Sequence, residues 1–372
     1  MRIALVCPYS CSVPGGVQTQ VLGLARALRS RGDEVAVLAP AEKSGIAGRL
    51  DAPALDGARF FRVGDAVAVS VNGSRAPVSP WPTTMGRTLS ALRGFAPEVV
   101  HVHEPFVPGP SLAAVMFGPH PVVGTFHRSG GDLAYRAYGR LVRPLSGRLD
   151  EAFAVSEEAR ETALACVGHM TGDIGIIPNG VEVSRLASVA PWPTSGPTLV
   201  FVGRHEPRKG LGVLLEAFGL LPSQTRLWVL GDGPDTGRLH DRYATEKRIE
   251  WLGTVDDKER TSRTAGADVF VAPSLGGESF GVVLLEAMAA GTAVVASDLP
   301  GYRLAAAGAA KLVVPGDPVG LARAIREVLF DDAERNALSE AGERRAGECD
   351  MASVADQYRQ SYARLRRARG SR

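Results

Sequence analysis

Cysteine, net charge and long apolar runs are all scarce in this chain of 372 residues. The four cysteines show neither Cys-x2-Cys spacing nor a nearby pair of histidines, which argues against both a zinc site and a disulfide framework. A net charge of only +2 gives no overall basis for binding nucleic acid. The composition is that of a globular protein in a reducing compartment, and we expect a cytoplasmic location.

No apolar run is suited to crossing a membrane or to directing export. The longest weakly charged stretch, Phe280 to Ala296, contains Glu286 and is broken by Gly291, whereas a span needs about 20 apolar residues. The run from Ile3 to Val6 is too short for a signal peptide, and no small-residue cleavage pattern follows it. It predicts a first β-strand instead.

Short β-branched or apolar runs alternate with longer amphipathic segments, which is typical of parallel α/β sheets. A chain of this length is too long for one ordinary core, so we expect two domains. The proline-rich stretch from Ala190 to Pro197 predicts the boundary between them, and Pro77 to Thr84 predicts a surface loop of the first domain. The predicted strands are Ile3 to Val6, Val35 to Leu38, Val99 to Val102, Val122 to Phe126, Leu199 to Val202, Leu227 to Leu230, Val269 to Ala272 and Ala293 to Ala296.

Each half of the chain has a glycine turn after its first strand, where open α/β sheets bind ligands. In the first half, Gly15 and Gly16 precede a helical pattern from Gln18 to about Arg31. In the second half, Arg204 follows the strand and Lys209 lies close behind, which supplies two fixed cations for a diphosphate. Taken singly, a Gly-Gly pair is most often a tight turn and an Arg-Lys pair a solvated face, so neither decides function alone.

The segment from Gly276 to Gly291 is the most informative in the chain, because it joins a glycine loop to an apolar helix. Glu278 and Glu286 form a Glu-x7-Glu pair across it. Free backbone N–H groups in the loop and the positive end of the helix suit a diphosphate. With a helix from Gly281, the two carboxylates lie roughly 12 Å apart along the axis, about the reach from a sugar to a ribose. The pattern predicts that each carboxylate holds one end of a sugar nucleotide.

These motifs resemble, across almost the whole chain, the retaining GT-B glycosyltransferases of family 4. Within that family the resemblance is strongest to the bacterial phosphatidylinositol α-mannosyltransferases. It implies an α/β fold of the GT-B type, with two Rossmann-like, doubly wound domains facing across a cleft. The motifs are Val13-Pro14-Gly15-Gly16-Val17-Gln18, Ile177-Pro178-Asn179-Gly180-Val181, Gly203-Arg204, Arg208-Lys209-Gly210, Gly231-Asp232-Gly233-Pro234 and the Glu-x7-Glu segment.

The resemblance also implies a domain plan and an activity. Residues 1–190 would bind the acceptor, residues 191–345 the nucleotide sugar, and residues 346–372 would form a C-terminal helix with a basic tail that packs back on the first domain. The enzyme would be a hexosyltransferase. It would move mannose from GDP-mannose to phosphatidylinositol or a related inositol lipid at the cytoplasmic membrane face, with retention of the anomeric configuration.

Roles for individual residues follow from the same resemblance. His127 matches the catalytic-site histidine and Glu278 contacts the transferred sugar, while Glu286 takes the ribose hydroxyls. From the residues alone, a histidine at a strand end is as often a structural hydrogen bonder. The donor-binding residues implied are Gly16, Arg204, Lys209, Val255, Asp256, Arg260, Glu278, Phe280, Gly281, Val282, Val283 and Glu286. The acceptor-binding residues implied are Tyr9, Gln18, Asn72 and Arg75.

A metal requirement is not expected. His101 and His103 alternate along one strand, and together with the carboxylate of Glu104 they suit a metal site, but no third cluster of ligands accompanies them. The chain also lacks the Asp-x-Asp pattern typical of metal-dependent glycosyltransferases of the other major fold. We therefore predict metal-independent transfer, with basic side chains and a helix dipole stabilising the departing diphosphate.

The acceptor is the least determined part of the prediction. The lipid-modifying relatives carry a dense basic patch on a first-domain helix, of which this chain keeps Arg87 and Arg93. Two other groups of arginines offer contact with an anionic membrane, and the alternative is a solvated face with a frayed tail. These groups are Arg136, Arg140 and Arg143, and the run of arginines from Arg364 to Arg372.

Rival functions stay open at this point. A family 4 enzyme with a soluble or polysaccharide acceptor and another nucleotide sugar would keep every donor residue and lose the basic patch. A nucleotide-sugar-binding protein without activity would typically have lost Glu278 or His127, and neither is lost here. A dinucleotide oxidoreductase is disfavoured, because no Gly-x-Gly-x-x-Gly follows the first strand.

Overall fold

The computed structural model describes residues 1–13, 15–42, 55–71, 74–130, 133–168 and 173–370. The chain divides into two compact units. The first unit is Met1–Gly180 together with Met351–Arg372, and the second is Val181–Asp350. Among the described residues, none of the helices combines the length and the apolar character that crossing a membrane would require.

The first unit is built on a parallel sheet with helices on both faces. The strand order is β3-β2-β1-β6-β7-β8-β9, which reverses direction between β1 and β6. A separate antiparallel hairpin is formed by β4 and β5. The elements are β1 (Arg2–Val6), α1 (Gly16–Ser30), β2 (Glu34–Ala39), β3 (Arg59–Arg62), β4 (Val67–Val71), β5 (Ser74–Val78), α2 (Pro82–Phe95), β6 (Val99–His103), α3 (Pro110–Phe117), β7 (Val122–Phe126), α4 (Leu133–Val142), β8 (Glu151–Ala154), α5 (Glu157–Val167) and β9 (Ile174–Ile176).

The second unit repeats this plan on a sheet of order β12-β11-β10-β13-β14-β15, with its reversal between β10 and β13. The elements are α6 (Val183–Ala187), β10 (Thr198–Val202), α7 (Leu211–Phe218), β11 (Arg226–Leu230), α8 (Thr236–Arg242), β12 (Ile249–Gly253), α9 (Asp257–Gly266), β13 (Val269–Ala272), α10 (Val282–Ala289), β14 (Ala293–Ser297), α11 (Pro300–Ala306), β15 (Lys311–Val313), α12 (Pro318–Phe330) and α13 (Asp332–Glu348). The last helix, α14 (Met351–Gly370), belongs to the first unit.

Successive side chains of the central strands point to opposite faces of the sheet, so each unit has one core layer on either face. In β6, Val99 packs on the side of α1 and α14, whereas Val100 and Val102 pack on the opposite side with α2 and α3. His101 and His103 share the face of Val99, because successive side chains of a strand point to opposite faces. The face covered by α14 therefore holds buried imidazoles as well as apolar side chains.

All the strands predicted from the sequence are present, and the predicted α/β class is confirmed. The surface loop predicted from Pro77 to Thr84 is wrong in part. Pro77 and Val78 belong to β5, where the carbonyl of Pro77 accepts a hydrogen bond of 2.8 Å from the backbone N–H of Ser10. α2 begins at Pro82, a residue suited to the first turn of a helix.

The predicted domain boundary at residue 190 is ten residues late, since the first unit ends at Gly180. Val181 already lies in the core of the second unit, with Val183 and Leu186 packed against it. The proline-rich stretch is fixed to that unit as well, because the backbone N–H of Trp192 donates to the carbonyl of Ser262 at 2.9 Å. The predicted boundary at residue 345 is early, since α13 continues to Glu348 within the second unit.

Within the described part of the C-terminal run, three arginines contact other groups of the first unit, so this part is neither a frayed tail nor a wholly free basic surface, and Arg372 lies outside the described residues. Arg364 is paired with Glu151, and Arg366 Nη1 lies 3.0 Å from Glu98 Oε1. Arg369 donates to a backbone carbonyl of the same unit. Both carboxylates come from strand ends or turns more than 200 residues earlier, which is why the sequence did not indicate them.

Candidate active site

The candidate donor site lies in the second unit, where its strand order reverses. Since β10 and β13 are neighbours there, the loops that follow them leave the sheet side by side. The first loop carries Arg204 and Lys209, and the second carries Glu278 and leads into α10. The fold thus brings together residues that are 69 positions apart in the sequence.

Glu278 is the centre of this cluster. Its Oε1 lies 2.6 Å from Lys209 Nζ and 3.5 Å from Arg208 Nη1. The same oxygen accepts a hydrogen bond of 3.0 Å from Ser274 Oγ. The residue predicted to hold the diphosphate and the residue predicted to hold the sugar therefore form an ion pair with each other. A diphosphate bound by Lys209 would release Glu278 to bind the sugar.

A second carboxylate, that of Glu206, orders the arginines of the first loop. It is only 4% exposed and lies 3.1 Å from Arg204 Nη2 and 3.2 Å from Arg208 Nε. A buried carboxylate requires such partners. Sequence reasoning missed Glu206, although its position between two arginines was a usable signal.

The loop before α10 has the conformation that the glycine pattern predicts. Gly281 has φ of +80° and precedes the first residue of α10. A Cβ atom at this position would lie 2.7 Å from Tyr302 Cδ1, so both backbone conformation and space require glycine. Phe280 is buried, while Val282 and Val283 are half-buried at the start of the helix. Glu278 therefore lies before the helix. The predicted separation of roughly 12 Å along one helix axis does not describe the two glutamates, because only Glu286 belongs to the helix.

Glu286 lies on α10 and contacts α9. Arg260 Nη1 lies 2.8 Å from Glu286 Oε2, and this carboxylate raises the pKa of the Arg260 guanidinium. Both residues line an open pocket in the second unit. Asp256 caps α9 by accepting the backbone N–H of Glu259 at 2.8 Å, and the neighbouring Val255 is half-buried. Arg260 is thus paired with Glu286, and Asp256 is the N-cap of α9.

The loop after β1 in the first unit carries three further predicted residues. Gly16 is the first residue of α1, with open space where a Cβ would stand. The Gln18 side chain is buried and donates from Nε2 to the carbonyls of Ser10 at 3.2 Å and Val13 at 3.3 Å. Gln18 thereby holds the loop in shape. Tyr9 is half-buried, and burial next to Glu104 raises the pKa of its hydroxyl.

Two predicted acceptor residues are not placed. Asn72 lies outside the described residues, and Arg75 belongs to β5, with its side chain outside them. Their contact with an acceptor stays a prediction.

His127 follows β7 and is 8% exposed. Its Nε2 lies 2.9 Å from His103 Nδ1, and its side chain forms a hydrogen bond with Asn179. Burial lowers the pKa of His127 to about 4, a shift that the bond with Asn179 partly offsets. The ring is therefore neutral near pH 7 and acts through hydrogen bonds instead of charge.

Glu104 fixes the backbone at this strand end and was considered in the sequence only as a metal ligand. Its Oε1 accepts the backbone N–H groups of His127 at 2.6 Å and Arg128 at 2.8 Å. Burial raises the pKa of the Glu104 carboxyl, and these two hydrogen bonds oppose the shift. With a φ of +46°, Glu104 adopts a left-handed conformation that is uncommon for a side chain of this size.

Comparison with known proteins agrees with this arrangement. Residues 14–185 match the model of Glycosyltransferase Family 4, and residues 196–331 match that of Glycosyl transferases group 1. The chain is 38% identical over 373 residues to the phosphatidyl-myo-inositol mannosyltransferase of Mycolicibacterium smegmatis, covering 97% of this chain and 93% of that relative. The chain belongs to glycosyltransferase family 4.

This family 4 glycosyltransferase is also 37% identical to the phosphatidyl-myo-inositol mannosyltransferase of Mycobacterium leprae, over 97% of this chain and 96% of that one. Its fold resembles that of Anabaena HepE in complex with UDP-glucose, with a TM-score of 0.76 at 18% identity over 98% of this chain and 100% of that chain. The predicted GT-B fold, the hexosyltransferase class and the likeness to mannosyltransferases are confirmed. The roles of individual residues stay predictions.

Proposed function

We propose that this glycosyltransferase transfers mannose from GDP-mannose to phosphatidylinositol or a related inositol lipid, with retention of configuration, at the cytoplasmic face of the membrane. The observation that carries the proposal is the 38% identity, over nearly the whole chain, to a phosphatidyl-myo-inositol mannosyltransferase. The cluster around Glu278 supports it, because it combines cations for a diphosphate with a carboxylate for a sugar.

In this proposal the donor rearranges the cluster as it binds. The diphosphate takes Lys209 and Arg204 from their carboxylate partners, since phosphate offers more negative charge to each cation. Backbone N–H groups at the start of α10 add to this binding. Glu278 is then available to the sugar hydroxyls, and Glu286 to the ribose. Donor binding thereby prepares the sugar site.

The transfer step needs neither a metal nor an enzyme nucleophile. As the bond from the anomeric carbon to the phosphate oxygen breaks, the acceptor oxygen bonds to that carbon on the same face. The hydroxyl proton moves to the departing diphosphate. Arg204, Arg208 and Lys209 stabilise the charge that develops there. His127, neutral near pH 7, contributes a hydrogen bond to the sugar.

A soluble acceptor is the alternative, and one observation favours it. α2 keeps only Arg87 and Arg93 of a basic patch, and Arg364 and Arg366 are paired with carboxylates of their own unit. Charges used in this way contribute little to binding an anionic bilayer.

One experiment separates these alternatives. Purified protein would be given GDP-mannose, UDP-glucose or UDP-GlcNAc, each with and without phosphatidylinositol vesicles, and each with and without EDTA. We expect GDP-mannose turnover that the vesicles stimulate and that EDTA leaves unchanged. Turnover of another donor would contradict the proposed use of GDP-mannose, and indifference to the lipid would support a soluble acceptor. Loss with EDTA and recovery with manganese would contradict the metal-free step.

A further inference from the structure

His103, the last residue of β6, forms a hydrogen bond with the ring of His127. Parallel pairing sets His103 opposite Thr125, so the ring of His103 reaches the end of β7, where His127 follows. Its Nδ1 lies 2.9 Å from His127 Nε2, and the two rings meet edge to edge, with centroids 5.1 Å apart and planes inclined by 25°. A hydrogen bond between nearly coplanar rings fixes the plane of the His127 ring as well as its position.

Both rings are neutral near pH 7. Burial, with His101 and His127 close by, holds the pKa of His103 well below its ordinary value, and the pKa of His127 is about 4. In a hydrogen bond between two neutral imidazoles, one nitrogen carries the proton and the other accepts it. If His103 Nδ1 carries the proton, His127 Nε2 accepts it and His127 is protonated on Nδ1. If His103 Nδ1 is the acceptor, His127 is protonated on Nε2.

The remaining nitrogen of His103 indicates the direction of this bond. His103 Nε2 is buried, and among the described residues no protein atom pairs with it. A buried donor without a partner is rarer than an acceptor without one. The favoured arrangement leaves Nε2 bare and puts the proton on Nδ1, which donates to His127 Nε2. His127 then carries its own proton on Nδ1.

His103 is itself held by a second layer of contacts. Its ring lies 4.4 Å, centroid to centroid, from that of His101. Both nitrogens of His101 are engaged, Nδ1 by the Tyr362 hydroxyl at 2.6 Å and Nε2 by Thr125 Oγ1 at 2.7 Å. A ring packed against a neighbour whose nitrogens are both hydrogen-bonded has little freedom to rotate. Such a ring is suited to orienting another residue.

We propose that His103 is a positioning residue, which holds His127 in a single orientation and in the tautomer protonated on Nδ1. The inference rests on the proposed function, in which His127 contacts the transferred sugar. Loss of the bond would leave the donor site of the second unit unchanged while misplacing His127 against the sugar.

Three substitutions test this inference. Asn in His103→Asn places an amide near the position of Nδ1, His103→Gln places it near Nε2, and His103→Leu removes both. Transfer by the leucine variant should fall by about 100-fold in kcat, the cost typical of a misplaced group. The asparagine variant should recover most of that loss and the glutamine variant little of it. Binding of GDP, measured by calorimetry, should be unchanged in all three.

The tautomer gives a readout that does not depend on activity. In protein labelled with 15N-histidine, NMR should show His127 protonated on Nδ1, and His103→Leu should convert this signal into a mixture of tautomers. His240→Asn, at a half-exposed ring of the second unit, is the matched control and should change neither result.

An unchanged kcat or an unchanged His127 tautomer in His103→Leu would overturn the inference. If His127→Ala also transfers at the normal rate, the failure lies in the proposed role of His127. If His127→Ala is inactive while His103→Leu is normal, only the positioning role fails.

Discussion

At the scale of single residues, the cations of the candidate site are already paired with carboxylates before any donor arrives. Glu278 forms ion pairs with Lys209 and Arg208, so a diphosphate must compete with this carboxylate for both cations. In Glu278→Gln the competitor loses its charge. We expect GDP to bind more tightly by about 1 kcal/mol, or about fivefold, because partly buried ion pairs are worth about that much. Transfer should nevertheless fall by about 100-fold, since the sugar loses a charged partner.

Calorimetry with GDP and a transfer assay would measure the two effects separately. The control is Glu340→Gln, an exposed carboxylate on α13 in the same unit, which should change neither quantity. Weaker GDP binding by Glu278→Gln would show that Glu278 supports the diphosphate instead of competing for its cations.

At the scale of elements, α14 is held on the first sheet by polar bonds within an apolar interface. Tyr362 is fully buried and its hydroxyl bonds to His101 Nδ1 at 2.6 Å. In Tyr362→Phe this nitrogen loses its partner, which should lower the free energy of unfolding of the first unit by about 1–3 kcal/mol. Thiol labelling against urea would report this, because three of the four buried cysteines lie in that unit.

Tyr243→Phe is the matched control, since Tyr243 is half-buried in the second unit, and its effect should stay within about 0.5 kcal/mol. An equal loss in both variants would mean that the bond to His101 carries no special weight.

Elements with a strong local pattern were predictable, and contacts across long sequence separations were not. The β-branched runs of β6 and β7 and the glycine at position 281 follow from local chemistry. β3 was missed because its apolar run is only two phenylalanines between two arginines, and β8 because it contains glutamate and two alanines, which are depleted in strands. The pairs of Lys209 with Glu278 and of Arg364 with Glu151 depend on topology, so no local pattern could reveal them.

At the scale of the whole molecule, the histidines whose pKa is lowered by burial are unevenly divided between the two units. The first unit holds His101, His103 and His127, each with its pKa lowered by burial, whereas the second holds His205. A histidine with a lowered folded pKa contributes stability that is present above its unfolded pKa of about 6.5 and is lost as the pH falls. The folded pKa values are about 3 for His101 and about 4 for His127, so the loss should run from about pH 6.5 to below 4.

We therefore expect the first unit to unfold before the second during acid titration. Three of the four tryptophans lie in the second unit, so tryptophan emission should change after far-UV circular dichroism has already begun to fall. In His103→Leu the first transition should become less steep with pH, because one titrating group is gone. If tryptophan emission and circular dichroism changed at the same pH, the prediction that the first unit unfolds before the second would be contradicted.

The return of the chain to its first unit has a consequence for biosynthesis. A ribosome that has finished β9 must still add the 170 residues of Val181–Asp350 before α14 exists. At about 5–20 residues per second this takes roughly 10–30 s, during which the apolar face that awaits α14 lies open. The second unit, continuous in sequence, has all its strands by then. The half of the protein that is begun first is thus completed last.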